Sequence, residues 1–199
     1  MLFIVKMNKN IEIYSPEEDS YLLSETLEKE IKGLRNKDKI KFLDVGSGSG
    51  IQSETALNCG INQKNITLTD INNDAIKLLQ NKFPKSKVIK SNLFAKISKN
   101  KTFDLIVFNP PYLPEDKREP LDSKVSTTGG KKGSEIINEF LRRAKNHLNE
   151  NGEILILTSS LTKDINWQKG SYGYKKLLSK RKLFFEELYV WKLKVLRTK

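Results

Sequence analysis

The chain has 199 residues, a single cysteine, a single histidine and a formal net charge of +12. That length suits one domain with a real core, and the lone Cys59 excludes a disulfide framework or a cysteine zinc cluster within the chain. No apolar run approaches the roughly 20 residues that span a bilayer, and the apolar stretch at the start is too short for a signal peptide, so a soluble cytoplasmic protein without a metal site is expected.

Residues 3–5 and 11–14 alternate in polarity around Asn8-Lys9-Asn10 and predict a small hairpin. Ser15-Pro16-Glu17-Glu18 then predicts a helix start. Ser15 suits the N-cap, Pro16 the first helical position, and Glu18 completes a capping box. Leu23, Leu27 and Ile31 follow at helical spacing, with Gly33 as the stop. Asp19 and Ser20 fall in the first turn, where they either complement the helix dipole or reach a ligand.

Residues 39–45 predict the first core strand, which runs into Gly46-Ser47-Gly48-Ser49-Gly50. A helix over 51–59, a strand over 65–70 and a helix over 73–83 follow, the last ended by Pro84. Lys87–Lys90 reads as a short third strand, with Ser91-Asn92-Leu93-Phe94 as the loop at its end. Residues 104–108 carry no polar side chain after Asp104 and predict a strand buried on both faces. Strands and helices thus alternate at the spacing of right-handed βαβ units.

The fourth strand stops on Asn109-Pro110-Pro111-Tyr112, because proline cannot donate to a ladder and fixes φ. Residues 113–133 are polar, unpatterned and glycine-rich at their end, which predicts a lid facing the substrate. Ser134 is expected to cap an amphipathic helix carrying Ile137, Phe140, Leu141, Ala144 and Leu148. Asn151-Gly152 turns the chain into a fifth strand over 153–158. Residues 174–180 and 184–195 predict two more strands, too close together for a crossover helix and therefore paired as an antiparallel hairpin. The expected organisation is one domain over 1–199, with a hairpin and helix over 1–34 and a Rossmann-like core over 39–199. From residue 161 onward eleven Lys/Arg face three acids. This basic C-terminal region is either a solvated surface or a contact for nucleic acid or the ribosome.

Two constellations carry chemistry. In Asp44-Val45-Gly46-Ser47-Gly48-Ser49-Gly50 the glycines let backbone approach a ligand at a strand-to-helix turn. Asp70 ends the next strand, where a carboxylate can accept both ribose hydroxyls of a nucleoside cofactor. The acid at Asp44 repels a pyrophosphate but holds an amino group, which favours S-adenosylmethionine over a nicotinamide cofactor. Asn92 can accept from the adenine amino group, and the Leu93 N–H can donate to a ring nitrogen. At Asn109-Pro110-Pro111-Tyr112 the Asn109 side-chain carbonyl and the Pro110 backbone carbonyl can accept both N–H groups of a planar NH₂. That aims its lone pair at a methyl group. Pro110 and Pro111 stiffen the corner and Tyr112 offers a ring to stack on the planar group. His147, near a helix end, reads as a partner of the helix dipole and not as a catalyst.

These motifs resemble those of the HemK-type class I protein glutamine methyltransferases. The opening Tyr14-Ser15-Pro16-Glu17-Glu18-Asp19-Ser20 and the Gly129-Gly130 to Gly133 segment are similar to the short archaeal and eukaryotic release-factor branch. The resemblance implies a seven-stranded, mostly parallel sheet with an antiparallel last strand and helices on both faces. It implies S-adenosylmethionine contacts at Ser20, Asp44, Gly46, Gly48, Asp70, Ile71, Asn92, Leu93 and Asn109, and substrate contacts at Asn109, Pro110, Pro111 and Tyr112. It further implies a class I translation release factor as substrate, methylated on its Gly-Gly-Gln glutamine. A small zinc-binding activator would dock near Lys87–Lys90. Asn92 stands where the family usually has Asp. The tetrapeptide is shared with adenine-N6 methyltransferases of DNA or RNA, so by motif alone these, a protein lysine methyltransferase and a non-enzymatic cofactor-binding subunit stay open.

Overall fold

The computed structural model describes residues 13–116, 127–167 and 172–195. Most of the expected N-terminal hairpin, the middle of the 113–133 loop, part of the 161–173 segment and the last basic residues lie outside these. The elements are α1 Glu18–Lys32, β1 Phe42–Val45, α2 Ile51–Asn58, β2 Ile66–Asp70, α3 Asn73–Lys82, β3 Lys87–Lys90 and β4 Phe103–Phe108. They continue with α4 Glu135–Ala144, β5 Leu148–Ser159, β6 Tyr172–Lys182 and β7 Glu187–Val195.

All seven strands form one sheet in the order β3-β2-β1-β4-β5-β7-β6. The pairs among β1 to β5 are parallel, and only β7 runs against its neighbours β5 and β6. The central strands are buried on both faces, so alternate side chains feed two cores. Phe42, Leu105, Val107, Leu155 and Leu157 pack under α1, α2 and α3 with Leu23, Leu27, Ala56 and Leu79. Leu43, Val45, Ile106, Phe108, Ile154 and Ile156 pack under α4 with Ile137, Phe140 and Leu141. One helix and the loop carrying Phe94 and Ile97 therefore cover the second face.

Four local expectations change. The first helix starts at Glu18, with Glu17 as an extended N-cap and no capping side chain. Ser15 is exposed, and the Tyr14 hydroxyl beside it reaches ahead to Asp19 at 3.1 Å. Ser134 precedes α4 without capping it; its hydroxyl bonds the Asp164 carbonyl instead. The turn expected at Asn151-Gly152 lies inside β5. Pairing with β4 jumps from Phe103–Leu148 to Leu105–Glu153, so residues 149–152 are taken up as an irregularity. A Cβ at Gly152 would meet the Phe103 carbonyl at 2.8 Å, which is why glycine stands there. Finally, Phe184 and Phe185 form the β6–β7 turn and are not part of a strand; the Leu183 N–H closes that turn onto the Glu186 carbonyl at 2.8 Å.

Candidate active site

The order in which strands are added to the sheet reverses between β1 and β4, which run parallel. β2 and β3 build outward on one side, β5 on the other, and ligands of open α/β sheets sit in the crevice at that switch. The loops after β1, β2, β3 and β4 all reach this edge. They enclose a cavity of about 450 Å³ lined by Ser20, Asp44, Gly46, Gly48, Asp70, Ile71, Asn92, Leu93, Asn109, Pro110 and Pro111. Every cofactor contact expected from the sequence thus meets the proline corner around one space. Tyr112 is not among the lining residues. Its ring is half-buried and packs against both cores. Burial first, and the neighbouring Asp19 carboxylate next, push its phenol well above the ordinary range, so it stays neutral.

The glycine turn is shaped by need. Gly46, Gly48 and Gly50 have φ of 61°, 50° and 81°, a region where L side chains are strained. A Cβ at Gly50 would strike the Phe83 ring at 2.6 Å, whereas one at Gly48 would meet nothing within 4 Å. Gly50 is therefore a packing glycine, and Gly48 faces open space where a ligand can approach the backbone.

Asp44 is 1% exposed. Its Oδ2 accepts from the Ser53 N–H at 3.1 Å and hydroxyl at 2.7 Å. Burial pushes its carboxyl up to about 7, and the nearby Asp70 charge adds to the rise. A carboxylate so poorly solvated favours an arriving cation. Asp70 accepts from the Gly48 N–H on Oδ2 and the Asn72 N–H on Oδ1, both at 2.8 Å. Those bonds fix the carboxylate and leave each oxygen a lone pair for a hydroxyl donor. Leu93 adopts a φ of 49°, with its carbonyl held by the Ser91 hydroxyl at 2.9 Å. The Asn92–Leu93 loop is thus a built turn, and Asn92 itself is exposed.

The most informative geometry is at Asn109. Its Nδ2 donates to Asp19 Oδ2 at 3.1 Å and to Ser20 Oγ at 3.3 Å. A carboxylate only accepts, so the amide can face Asp19 only with its nitrogen. That leaves Asn109 Oδ1 buried without a partner among the described atoms. An orphaned buried carbonyl costs about 1–3 kcal/mol, a cost a ligand N–H relieves. Asp19 is itself held, since its Oδ1 accepts from Tyr14 Oη at 3.1 Å and from the Ser20 N–H at 2.5 Å. The segment Tyr14–Ser20 therefore orients the corner amide from across the site. Gln52 shows the same pattern: its Nε2 donates to the Ser20 carbonyl at 2.9 Å, and its Oε1 is left unpaired.

Sequence reasoning left Asp19 open between complementing the helix dipole and reaching a ligand, and missed that it orients Asn109. It also missed Gln52 and Ser53. Their polarity one and two residues into α2, where the chain has just left the glycine turn, was the available signal. His147 makes a structural tie: its Nδ1 contacts the Lys101 carbonyl at 2.8 Å and its ring stacks on Phe94 with centroids 4.8 Å apart. Among the described residues no cluster suits a metal ion, and no helix is long and apolar enough to cross a membrane.

The Methyltransferase small domain family model matches residues 15–184. A protein of Methanocaldococcus jannaschii named for protein N5-glutamine methyltransferase activity is 37% identical, over 95% of this chain and 96% of its own. The eRF1 methyltransferase catalytic subunit mtq2 of Schizosaccharomyces pombe is 28% identical over 71% of this chain and 70% of its own. Among solved structures, the E. cuniculi Mtq2–Trm112 complex, described as responsible for methylating the eRF1 translation termination factor, contains a chain that superposes with a TM-score of 0.68. It is 26% identical and covers 92% of this chain and 98% of that one. The protein is a methyltransferase: it belongs to the Methyltransferase small domain family and, within it, to the archaeal and eukaryotic branch of HemK-type protein N5-glutamine methyltransferases.

Proposed function

We propose that the enzyme transfers a methyl group from S-adenosylmethionine to the side-chain nitrogen of the glutamine in the Gly-Gly-Gln motif of a class I translation release factor, which places its work in the cytoplasm. The observation that carries this reading is the clamped Asn109 amide, whose carbonyl is buried, unpaired and set beside the Asp44–Asp70 cavity. The names of the relatives from M. jannaschii and S. pombe support the same substrate.

The residues fit the donor. Asp44 suits its ammonium, Asp70 its ribose hydroxyls, the open side of Gly48 its close approach, and Asn92 with the Leu93 N–H its adenine edge. When bound, S-adenosylmethionine supplies a methyl group on a positively charged sulfur, which departs as a neutral thioether. A carboxamide nitrogen is a poor nucleophile because its lone pair is delocalised into the carbonyl. Asn109 Oδ1 and the Pro110 carbonyl accept its two N–H groups, which turns the lone pair toward the methyl carbon and holds it there. The alkylated nitrogen is strongly acidic and gives up one proton to solvent, so no side chain of high basicity is required. Asp19 and Ser20 keep Asn109 in the productive orientation, and Tyr112 braces the corner from below.

Among the described residues β3 is an edge strand with no neighbour on its outer side, and its residues are only partly covered. Strand addition there is the route by which a small zinc-binding activator would dock, and the E. cuniculi neighbour is likewise solved with a second protein. The test is transfer of labelled methyl to purified release factor and to nucleic acid, with and without the activator. Label in the release-factor glutamine supports the assignment; label confined to nucleic acid adenine overturns it.

A further inference from the structure

The β6–β7 turn carries the two most exposed large apolar side chains among the described residues. Phe184 is 90% and Phe185 84% exposed, against 51% for Ile71, the next highest. Their rings meet edge to face with centroids 4.6 Å apart, so they form a single apolar knob. The turn itself gives no reason for them. Neither residue takes a positive φ, and tight turns favour Gly, Asn or Asp. Two clustered, fully solvated phenylalanines are the kind of exposed patch that marks a contact surface.

The knob is fixed to the active site from both sides. Ser159, at the end of β5, bonds Glu186 through its hydroxyl and Thr162 Oγ1 through its N–H at 3.3 Å. The Thr162 hydroxyl in turn donates to the Tyr112 carbonyl at 2.9 Å. The turn is thus two side-chain links from the proline corner, and Glu186 is close enough to contribute to the upward shift of the Tyr112 phenol. On the other side Arg181, just before the turn, reaches Glu18 at 2.9 Å and Glu25 at 2.9 Å on α1, the helix that presents Asp19 and Ser20. Leu183 packs into the core beneath α1 to α3. The hairpin end is therefore tied from two sides to the corner proposed to receive the reacting nitrogen, and β5 and β7 set it at the same edge of the sheet.

We infer that Phe184 and Phe185 are a docking anchor for the protein that carries the substrate glutamine, gripping an apolar patch of that protein beside its methylated loop, with the exposed Lys182 at the rim. This rests on the substrate reading above and goes beyond it by separating recognition of the folded substrate from recognition of the glutamine. Continuity with the cavity mouth favours a protein over a membrane: the knob is tied to the Tyr112 carbonyl, next to the cavity-lining Pro111, and to α1, whose Asp19 and Ser20 line the same cavity. Rigid aromatic anchors next to a polar rim are also the usual seat of binding energy in protein interfaces.

The experiment compares the full chain with Phe184→Ser/Phe185→Ser, using full-length release factor and a short Gly-Gly-Gln peptide as acceptors, with the activator present if wild-type transfer needs it. The expected result is a KM for release factor raised at least tenfold with kcat kept, a KM for the peptide unchanged, and recovery of most of the loss in Phe184→Leu/Phe185→Leu. An unchanged KM for release factor overturns the inference. So does an equal loss on both acceptors, which would mean that the turn serves the fold of the site. Binding of wild type, but not the Ser variant, to vesicles of phosphatidylcholine and phosphatidylserine in equal parts, with release-factor KM unaffected, assigns the knob to a membrane and also overturns it. Absence of wild-type transfer to both acceptors removes the substrate reading itself, a result distinct from all of these.

Discussion

Asp44→Asn separates stability from function at the proposed cofactor site. Asp44 is buried, and its carboxyl is raised from 3.8 to about 7, chiefly by loss of hydration and secondarily by the Asp70 charge. A folded-state value above the unfolded one means that burial is harmless below about pH 4, where the group is protonated in both states. The penalty grows as pH rises and is complete above about pH 7. Roughly three pH units at 1.4 kcal/mol each give a penalty of about 4 kcal/mol at alkaline pH. Asparagine is nearly isosteric, keeps an acceptor for the Ser53 N–H and hydroxyl, and does not titrate. Urea unfolding of wild type and variant from about pH 4 to about pH 9 should therefore show a stability difference near zero at the acid end. It should widen in favour of the variant to about 4 kcal/mol and then level off. The same variant should bind S-adenosylmethionine on the order of 10- to 100-fold more weakly by calorimetry, because a charge-assisted hydrogen bond to the ammonium is lost. A stability difference that does not change with pH would refute the picture of a strained, half-protonated carboxyl. Undiminished cofactor affinity would refute its role as the ammonium partner.

Asn109→Ala should lower kcat for methyl transfer by about 100-fold or more, the scale of losing one donor or acceptor at a reacting centre, while cofactor affinity measured by calorimetry stays within a few-fold of wild type. Asp19→Asn removes the carboxylate that holds the Asn109 nitrogen toward itself; kcat should fall on the order of 10-fold with KM for S-adenosylmethionine little changed, and an unaltered kcat would dismiss Asp19 as an orienting residue. Asp70→Ala deletes the carboxylate held by Gly48 and Asn72 and should weaken cofactor binding on the order of 100-fold, read by the same calorimetry. Gly133→Ala should destabilise the chain by about 1–3 kcal/mol in thermal unfolding and lower kcat, since φ is 81° and a Cβ would lie 2.3 Å from the Tyr112 carbonyl.

How far the sequence foretold the structure follows from what each signal depends on. The buried strand at 104–108, the glycine turn after β1 and the proline stop after β4 are set by local chemistry, and they stand where expected. The alternation of strand and helix and the antiparallel pairing of β6 with β7 were legible from linker lengths, whereas the seven-stranded sheet was implied by the family resemblance. What could not be read from neighbours in sequence was any feature made across the fold. The capping box at Ser15 is locally sound, yet Tyr14 finds a stronger partner in Asp19, and the helix start shifts to Glu18. The β-bulge at 149–152 brings Gly152 against the Phe103 carbonyl, a contact between residues far apart in sequence. The deepest miss concerns Asn109. Its type announced a hydrogen-bonding role, but only the fold brings Asp19 ninety positions back against it and so decides which end of the amide faces the cavity. That dependence gives the entry segment Tyr14–Ser20 its physical meaning. It is part of the corner proposed for catalysis, supplied from a distant part of the chain, and a chain with an intact Asn109-Pro110-Pro111-Tyr112 but no acid at position 19 would hold the amide without fixing its direction.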